Sequence, residues 1–264
     1  MIVFIIPVKS KQVATSWSEL SLLFERSLRS VCNQTSDKFK VIVVCNEKPD
    51  TTYDHPQIEY LQVDFPVPKN NYTAKVDDRA KRVIAGMLAV KDLQPSHIMS
   101  VDADDCISDR IAGYVAQYPE SNGWYVNSGY EYEEGSNKIA VRKQDFYKIC
   151  GTCNIINYRL FNLPEKMPSY EEFTVSDRFI GGHPLAKGDL ADRGTPLEPL
   201  PFPGVIFVRD RIGESVSMQE PMLAKFKRNP RETVRGLKKM LLAPINQKPL
   251  TKKIYDEFGL YKIE

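Results

Sequence analysis

The apolar positions of this chain fall into blocks whose spacing changes along its length. Residues 2–8 are almost continuously apolar through Pro7 and Val8, the pattern of a strand covered on both faces. Ser16 with Glu19 three residues later makes a capping box. Behind it Leu20, Leu23, Phe24, Leu28 and Val31 recur at helical spacing. Phe39 to Cys45 is again apolar and rich in β-branched residues. Strand, helix and strand by residue 45 predict a βαβ unit and therefore a parallel sheet.

The pattern then repeats. Ile58 to Val63 predicts a short strand, followed by a loop through Pro66 and Pro68. Val76, Ala80, Val83, Ile84, Met87 and Leu88 form the apolar stripe of a helix, and His97 to Val101 the next strand. Ser108 is placed to cap a helix carrying Ile111, Val115 and Tyr118. Beyond residue 120, Trp124 to Tyr132 and Lys138 to Lys143 read as strands joined by the turn Glu134-Gly135-Ser136-Asn137. Gly151 to Tyr158 and Val205 to Val208 read as two more. Residues 164–204 are rich in Pro and Gly with little periodicity, the signature of a long functional loop. Asn229-Pro230-Arg231-Glu232 opens a last helix, with Val234, Leu237, Met240 and Leu241 on one face. There is no internal repeat and no low-complexity segment.

Composition narrows the class. The 264 residues are enough for one large α/β domain or two small ones, and 42% hydrophobic with 27% charged residues is the balance of an ordinary soluble protein. No apolar run approaches the roughly 20 residues that span a bilayer. Met1 to Pro7 lacks the basic start and the length of a signal segment, so a cytoplasmic protein is expected. The five cysteines are odd in number, and Cys150 and Cys153 form the one C-x-x-C, with no second pair to complete a zinc site. Reduced, partly buried thiols are expected. The net charge of +2 is uneven: residues 221–264 carry eleven Lys or Arg against four acids. Such a basic tail suits a solvated helical face, a homodimer contact or the anionic inner face of a membrane; no nucleic-acid partner is expected.

The candidate chemistry lies where the His97–Val101 strand runs into Asp102-Ala103-Asp104-Asp105. The carboxyl edge of a parallel sheet is where open α/β folds bind ligands. Two carboxylates this close repel unless a positive charge sits between them, and Mg²⁺ or Mn²⁺ with substrate phosphates is a common answer. A plain acidic helix start is the competing reading, since Asp105 and Asp109 would suit a helix dipole. An EF-hand loop needs Gly at its sixth position, where Ile107 stands. A phosphatase-type Asp-x-Asp follows the first strand of its fold, whereas this one follows at least three.

With those residues in place, the chain resembles the inverting, GT-A fold glycosyltransferases of family 2 from residue 1 to about residue 217. The resemblance rests on Ile5-Ile6-Pro7-Val8, on Ser30-Val31-Cys32-Asn33-Gln34-Thr35 against the family's S-x-x-x-Q-T, on Val41 to Glu47, and on Asp102-Ala103-Asp104 near residue 100. It implies an α/β, Rossmann-like GT-A domain over 1–217, with a mixed, mainly parallel central sheet and flanking helices. A basic helical extension would follow over 218–264. The implied reaction moves a sugar from a nucleoside diphosphate, a UDP-sugar first, to the hydroxyl of a carbohydrate or lipid-linked acceptor. An inactive sugar-nucleotide-binding module and a sugar nucleotidyltransferase are the alternatives; the latter expects a Gly-rich loop that Ser10-Lys11-Gln12-Val13 does not have.

The resemblance also assigns residues. Pro7, Val8, Lys9, Asn46 and Glu47 are expected at the nucleoside, and Lys75, Asp78 and Arg82 on the helix that contacts the nucleotide. Asp102 is expected at the ribose or the metal, Ala103 at the nucleotide, and Asp104 with Asp102 at a Mn²⁺ or Mg²⁺ ion. The family's acidic catalytic pair is missing, and Gly181-Gly182-His183-Pro184 stands in its place. His183 is therefore the leading candidate base, a plain loop histidine or a third metal ligand being its other readings, with Asp177 and Asp189 as substitute bases. The family's closing histidine falls at Arg211 or Ile212, where an Arg suits the diphosphate instead. Trp124, Tyr125 and Tyr130 are offered as sugar-stacking or core aromatics.

Overall fold

The structure is a computed structural model that describes residues 1–173, 175–209 and 246–263. The apolar run at the N-terminus becomes β1 (Ile2–Pro7), every residue of it buried. It lies between β2 (Phe39–Cys45) and β4 (His97–Ser100), parallel to both, with β3 (Ile58–Gln62) parallel beyond β2. On the other side β9 (Asn154–Asn157) runs antiparallel to β4 and to β6 (Gly123–Tyr125), and β10 (Glu198–Pro199) pairs parallel with β6. The order in this seven-stranded sheet is β10-β6-β9-β4-β1-β2-β3. This is the α/β class expected from sequence, a mixed and mainly parallel sheet with flanking helices.

Two long helices cover the sheet. In α1 (Trp17–Cys32) the Ser16 side chain accepts from the Glu19 amide, and the predicted stripe is buried, Phe24, Leu28 and Val31 completely. Hiding one such side chain from water stabilises by about 1.5–3 kcal/mol. In α2 (Tyr72–Ala89) Asn71 is the cap, accepting from Ala74 N at 2.9 Å, and Ala80, Val83, Ile84 and Met87 face the core.

A second, five-stranded sheet has the order β12-β8-β7-β11-β5. It comprises β5 (Cys106–Ile107), β7 (Gly129–Glu133), β8 (Lys138–Arg142), β11 (Val205–Arg209) and β12 (Gln247–Pro249). The single strand expected over Trp124–Tyr132 is therefore two, one in each sheet, because residues 126–128 carry the chain across. The hairpin expected around Gly135 is present as the antiparallel pair β7–β8. The strand expected over Gly151–Tyr158 is confined to β9, since residues 150–153 wrap the acidic cluster instead.

Two further expectations change in detail. In the short α3 (Ile111–Ala116) the N-cap residue is Arg110, with no side-chain cap; Ser108 acts just ahead of the helix, its hydroxyl donating to Glu257 at 2.9 Å and accepting the Arg110 amide at 3.4 Å. Gln34 supplies the acceptor in its stead, taking the Ala112 amide at 2.8 Å. Residues 164–204 hold α4 (Arg178–Gly181), one 3-10 turn (His183–Leu185) and α5 (Ala186–Asp192). The helix expected from Asn229 lies outside the described residues. From 246 onward the chain does not stand apart as an extension. β12 pairs with β8, and the helix α6 (Lys252–Phe258) buries Ile254 and Phe258 against the second sheet. Among the described residues no helix is long and apolar enough to cross a membrane. All five cysteines are buried and none forms a disulfide.

Candidate functional site

Because β1, β2 and β4 are parallel neighbours, their carboxyl ends share one edge, and the chain leaves that edge at Val8, Asn46 and Val101. The ladder continues one step past the strands, with Val8 N on Val44 O at 2.9 Å and Val101 N on Ile5 O at 2.8 Å. This fixes where Lys9 and Asp102 emerge. α2 crosses the same edge with its N-terminal half, and the segment after α4 closes the far side. Between them is a pocket of about 260 Å³.

Of the residues expected at the nucleotide or metal, Pro7, Lys9, Lys75, Asp78, Arg82, Asp102, Ala103 and Asp104 line this pocket, and so does His183. Others are placed elsewhere. Val8 is fully buried in the sheet. Glu47 accepts from Ser10 Oγ at 3.2 Å and Lys11 N at 3.0 Å, bracing the loop that carries Lys9. Asn46 donates to Phe65 O at 2.8 Å. Asp177 is completely buried, bonded to Asn162 N at 2.7 Å and paired with Arg193 at 2.8 Å, so it is a structural brace and no exposed base. Asp189 pairs with Arg178 at 2.7 Å, and neither acid lines the pocket. Trp124, Tyr125 and Tyr130 are core residues. Arg211 lies outside the described residues.

The acidic cluster splits three ways. Asp102 is held by Arg79, whose Nε and Nη2 lie 2.7 and 2.6 Å from the same Oδ1. Arg79 also donates to Ser100 Oγ at 3.2 Å and to Ile180 O at 3.4 Å, tying α2 to the end of β4 and to α4. The Asp102 amide donates to Thr152 Oγ1 at 2.8 Å. Asp104 lies half-buried on the pocket wall. Asp105 turns inward, taking the Cys150 thiol at 3.1 Å and the Val208 amide at 3.3 Å. Burial first, then the charges of Asp104 and Asp102, push its carboxyl well above the usual range. Ser27 of α1 holds the turn from behind, donating to Asp105 O at 2.6 Å.

This donor set does not fit the divalent cation expected at Asp102 and Asp104. A cation needs converging oxygens, yet Asp102 is engaged by a guanidinium and Asp105 faces the interior, which leaves Asp104 as the other carboxylate of the cluster on the pocket wall. Among the described residues no three His, Cys, Asp or Glu side chains come together as a metal-holding group. Asp78 and Arg82, both expected at the nucleotide, form a buried ion pair with each other at 2.8 Å, reinforced by the Tyr170 hydroxyl at 3.3 Å from Asp78. His183 has a carbonyl that accepts from Asn154 Nδ2 at 2.9 Å and a buried Nε2 with no protein partner. Burial lowers its pKa to about 4, with Asp102 opposing and Arg79 assisting. The imidazole is therefore neutral at physiological pH.

Of the residues at the centre of the site, Arg79 escapes the sequence reading, and Gly151 enters it only as the start of a strand. A faint signal exists for the first: Lys75, Arg79 and Arg82 recur at i, i+4 and i+7 and share a helix face.

No protein-family model matches the chain, and no curated protein matches it. Solved structures that resemble it include residues 1–349 of S. aureus TarS, at 12% identity and a TM-score of 0.45, covering 78% of this chain and 60% of that one. A longer S. aureus TarS structure gives the same identity and score over 79% of this chain and 36% of its own. The Francisella tularensis 2-C-methyl-D-erythritol 4-phosphate cytidylyltransferase matches at 11% identity and a TM-score of 0.32, over 80% and 92%. The chain thus corresponds to less than two thirds of either TarS chain.

Proposed function

We propose that this chain is a GT-A type glycosyltransferase that binds a nucleoside-diphosphate sugar, UDP-linked first, and passes the sugar to an acceptor hydroxyl with inversion. The observation that carries the reading is the pocket at the carboxyl edge. Its wall joins Lys9, Lys75, Asp102, Ala103, Asp104 and His183 around a space of about 260 Å³. Ligand pockets of open α/β sheets form at this edge, and the two lysines there favour an anionic diphosphate.

In this mechanism the acceptor oxygen attacks the anomeric carbon as the bond to the diphosphate breaks. Lys9 and Lys75 offset the charge that grows on the leaving phosphate. Neutral His183, whose Nε2 has no protein partner, takes the acceptor proton. A strongly depressed pKa makes it a modest base, so most of the rate would come from placing the two substrates.

Thermal-shift titration with UDP, GDP, CDP and ADP tests the donor. One of them should raise the melting temperature in a saturable way. No shift with any of the four would remove the reading. Donor turnover with His183→Ala then separates roles: unchanged rates would take His183 out of the proton transfer while leaving donor binding intact.

A further inference from the structure

We infer that this site handles its diphosphate without a divalent cation, Arg79 occupying on Asp102 the place a metal ion would take. The inference rests on the glycosyl-transfer reading and concerns what neutralises the donor. Arg79 Nε and Nη2 converge on one oxygen of Asp102 at 2.7 and 2.6 Å. Charge-assisted bonds of this length to a guanidinium are among the stronger polar contacts in proteins. An arginine keeps its charge at any pH that a folded protein meets, so the pair does not dissolve by deprotonation.

The arrangement is built on both sides of the carboxylate. Arg79 is fixed by Ser100 Oγ and Ile180 O, so swinging it away would break contacts to β4 and α4 together. The other Asp102 oxygen lies against Gly151, where even one added methyl group would overlap it. One oxygen of Asp102 is held by Arg79 and the other packs on the Gly151 backbone, so an ion arriving from the pocket meets a carboxylate already engaged on both oxygens. The interior orientation of Asp105 removes one neighbouring carboxylate, and Asp104 on the pocket wall is then a single carboxylate against the several oxygens that a divalent cation gathers. The positive charge for the phosphates then comes from Lys9 and Lys75 on the pocket wall. Arg79 is a positioning residue here: it holds Asp102 and the 178–183 segment in place and touches no reacting atom.

Calorimetric titration of the full chain with the diphosphate identified by thermal shift tests this, once in EDTA and once in excess MnCl₂. The expected Kd values agree to within about tenfold, a difference of under ~1.4 kcal/mol. A larger gain with Mn²⁺, or binding seen in Mn²⁺ alone, overturns the inference and leaves the donor reading standing. Absence of binding in both buffers instead removes the donor reading, and the inference falls with it. Mn²⁺ paramagnetic resonance with the protein alone gives a second readout. Wild type and Arg79→Lys should leave the free-ion signal intact, while Arg79→Gln, which releases Asp102, should diminish it. Uptake by the wild-type chain counts against the inference even if Arg79→Gln fails to fold.

Discussion

Gly151 has no side chain, and Asp102 uses the space. A Cβ built on Gly151 falls far inside contact distance of Asp102 Oδ2 and 3.2 Å from Arg79 Nη2. Asp102 is short and pinned by Arg79, so the overlap has no cheap escape. Gly151→Ala should therefore push the carboxylate toward the pocket and weaken diphosphate binding about tenfold or more. The same calorimetry reads it out, and an unchanged Kd would show that Asp102 is not where the nucleotide needs it. Asp102 and Asp104 were legible because a strand ending in Asp-x-Asp announces an edge. Arg79 and Gly151 were not, because their meaning lies in a contact 23 and 49 positions from Asp102. Local pattern carries no trace of such a pairing. The substitute base Asp177 failed for a related reason: nothing nearby in sequence foretells its burial on Arg193 and Asn162.

At the scale of elements, α2 matters most, since it carries Lys75, Arg79 and Arg82 over the sheet edge. It packs tightly on the sheet at Gly86, where a Cβ would stand 2.8 Å from Ile5 Cγ2 and 3.1 Å from Val44 Cγ2. Both neighbours are wholly buried on central strands and have nowhere to move. Ala in place of Gly favours the helix by about 1 kcal/mol, whereas overpacking a core costs about 1–3 kcal/mol. Gly86→Ala should thus lose on the order of 1 kcal/mol, and Gly86→Val more, in urea unfolding at unchanged m-value. A stabilised Gly86→Ala would mean that α2 has room to settle deeper. The helix itself was plain from its 3.6-residue stripe, as were β1, β2 and β4 from their unbroken apolar runs. The division of Trp124–Tyr132 between two sheets was not, because apolar spacing looks the same whichever sheet receives a strand. The Ser108 cap misled for a similar reason: the acceptor that serves α3 comes from Gln34, distant in sequence.

For the whole molecule, the buried histidines make stability depend on pH in a definite direction. His97 is completely buried on β4, its Nε2 3.0 Å from Ser121 O and its ring against Trp124 at 5.2 Å. Burial lowers its pKa to about 4; the Ser121 carbonyl opposes this, and the N-terminus and Arg159 add to it. In the unfolded chain the same group titrates near 6.5. Between those values the unfolded state binds a proton that the folded state refuses, so acidification favours unfolding. The stability is complete above pH ~6.5 and is lost as pH falls toward ~4, on the order of 3 kcal/mol for a shift of this size. His183 lies in the same window with the same sign. Asp105 has the opposite sign, because its raised pKa lets the folded state keep a proton that the unfolded chain releases. The wild-type curve alone therefore mixes several groups, and a comparison isolates one. His97→Phe keeps a ring against Trp124, removes one titrating site, and leaves His183 and Asp105 common to both chains. Between pH 7.5 and 4 the variant should lose less unfolding free energy than wild type, even though losing the Ser121 bond makes it less stable at neutral pH. Parallel curves for the two proteins would mean that His97 takes up its proton as readily in the fold as in the unfolded chain, which its burial beside Trp124 argues against.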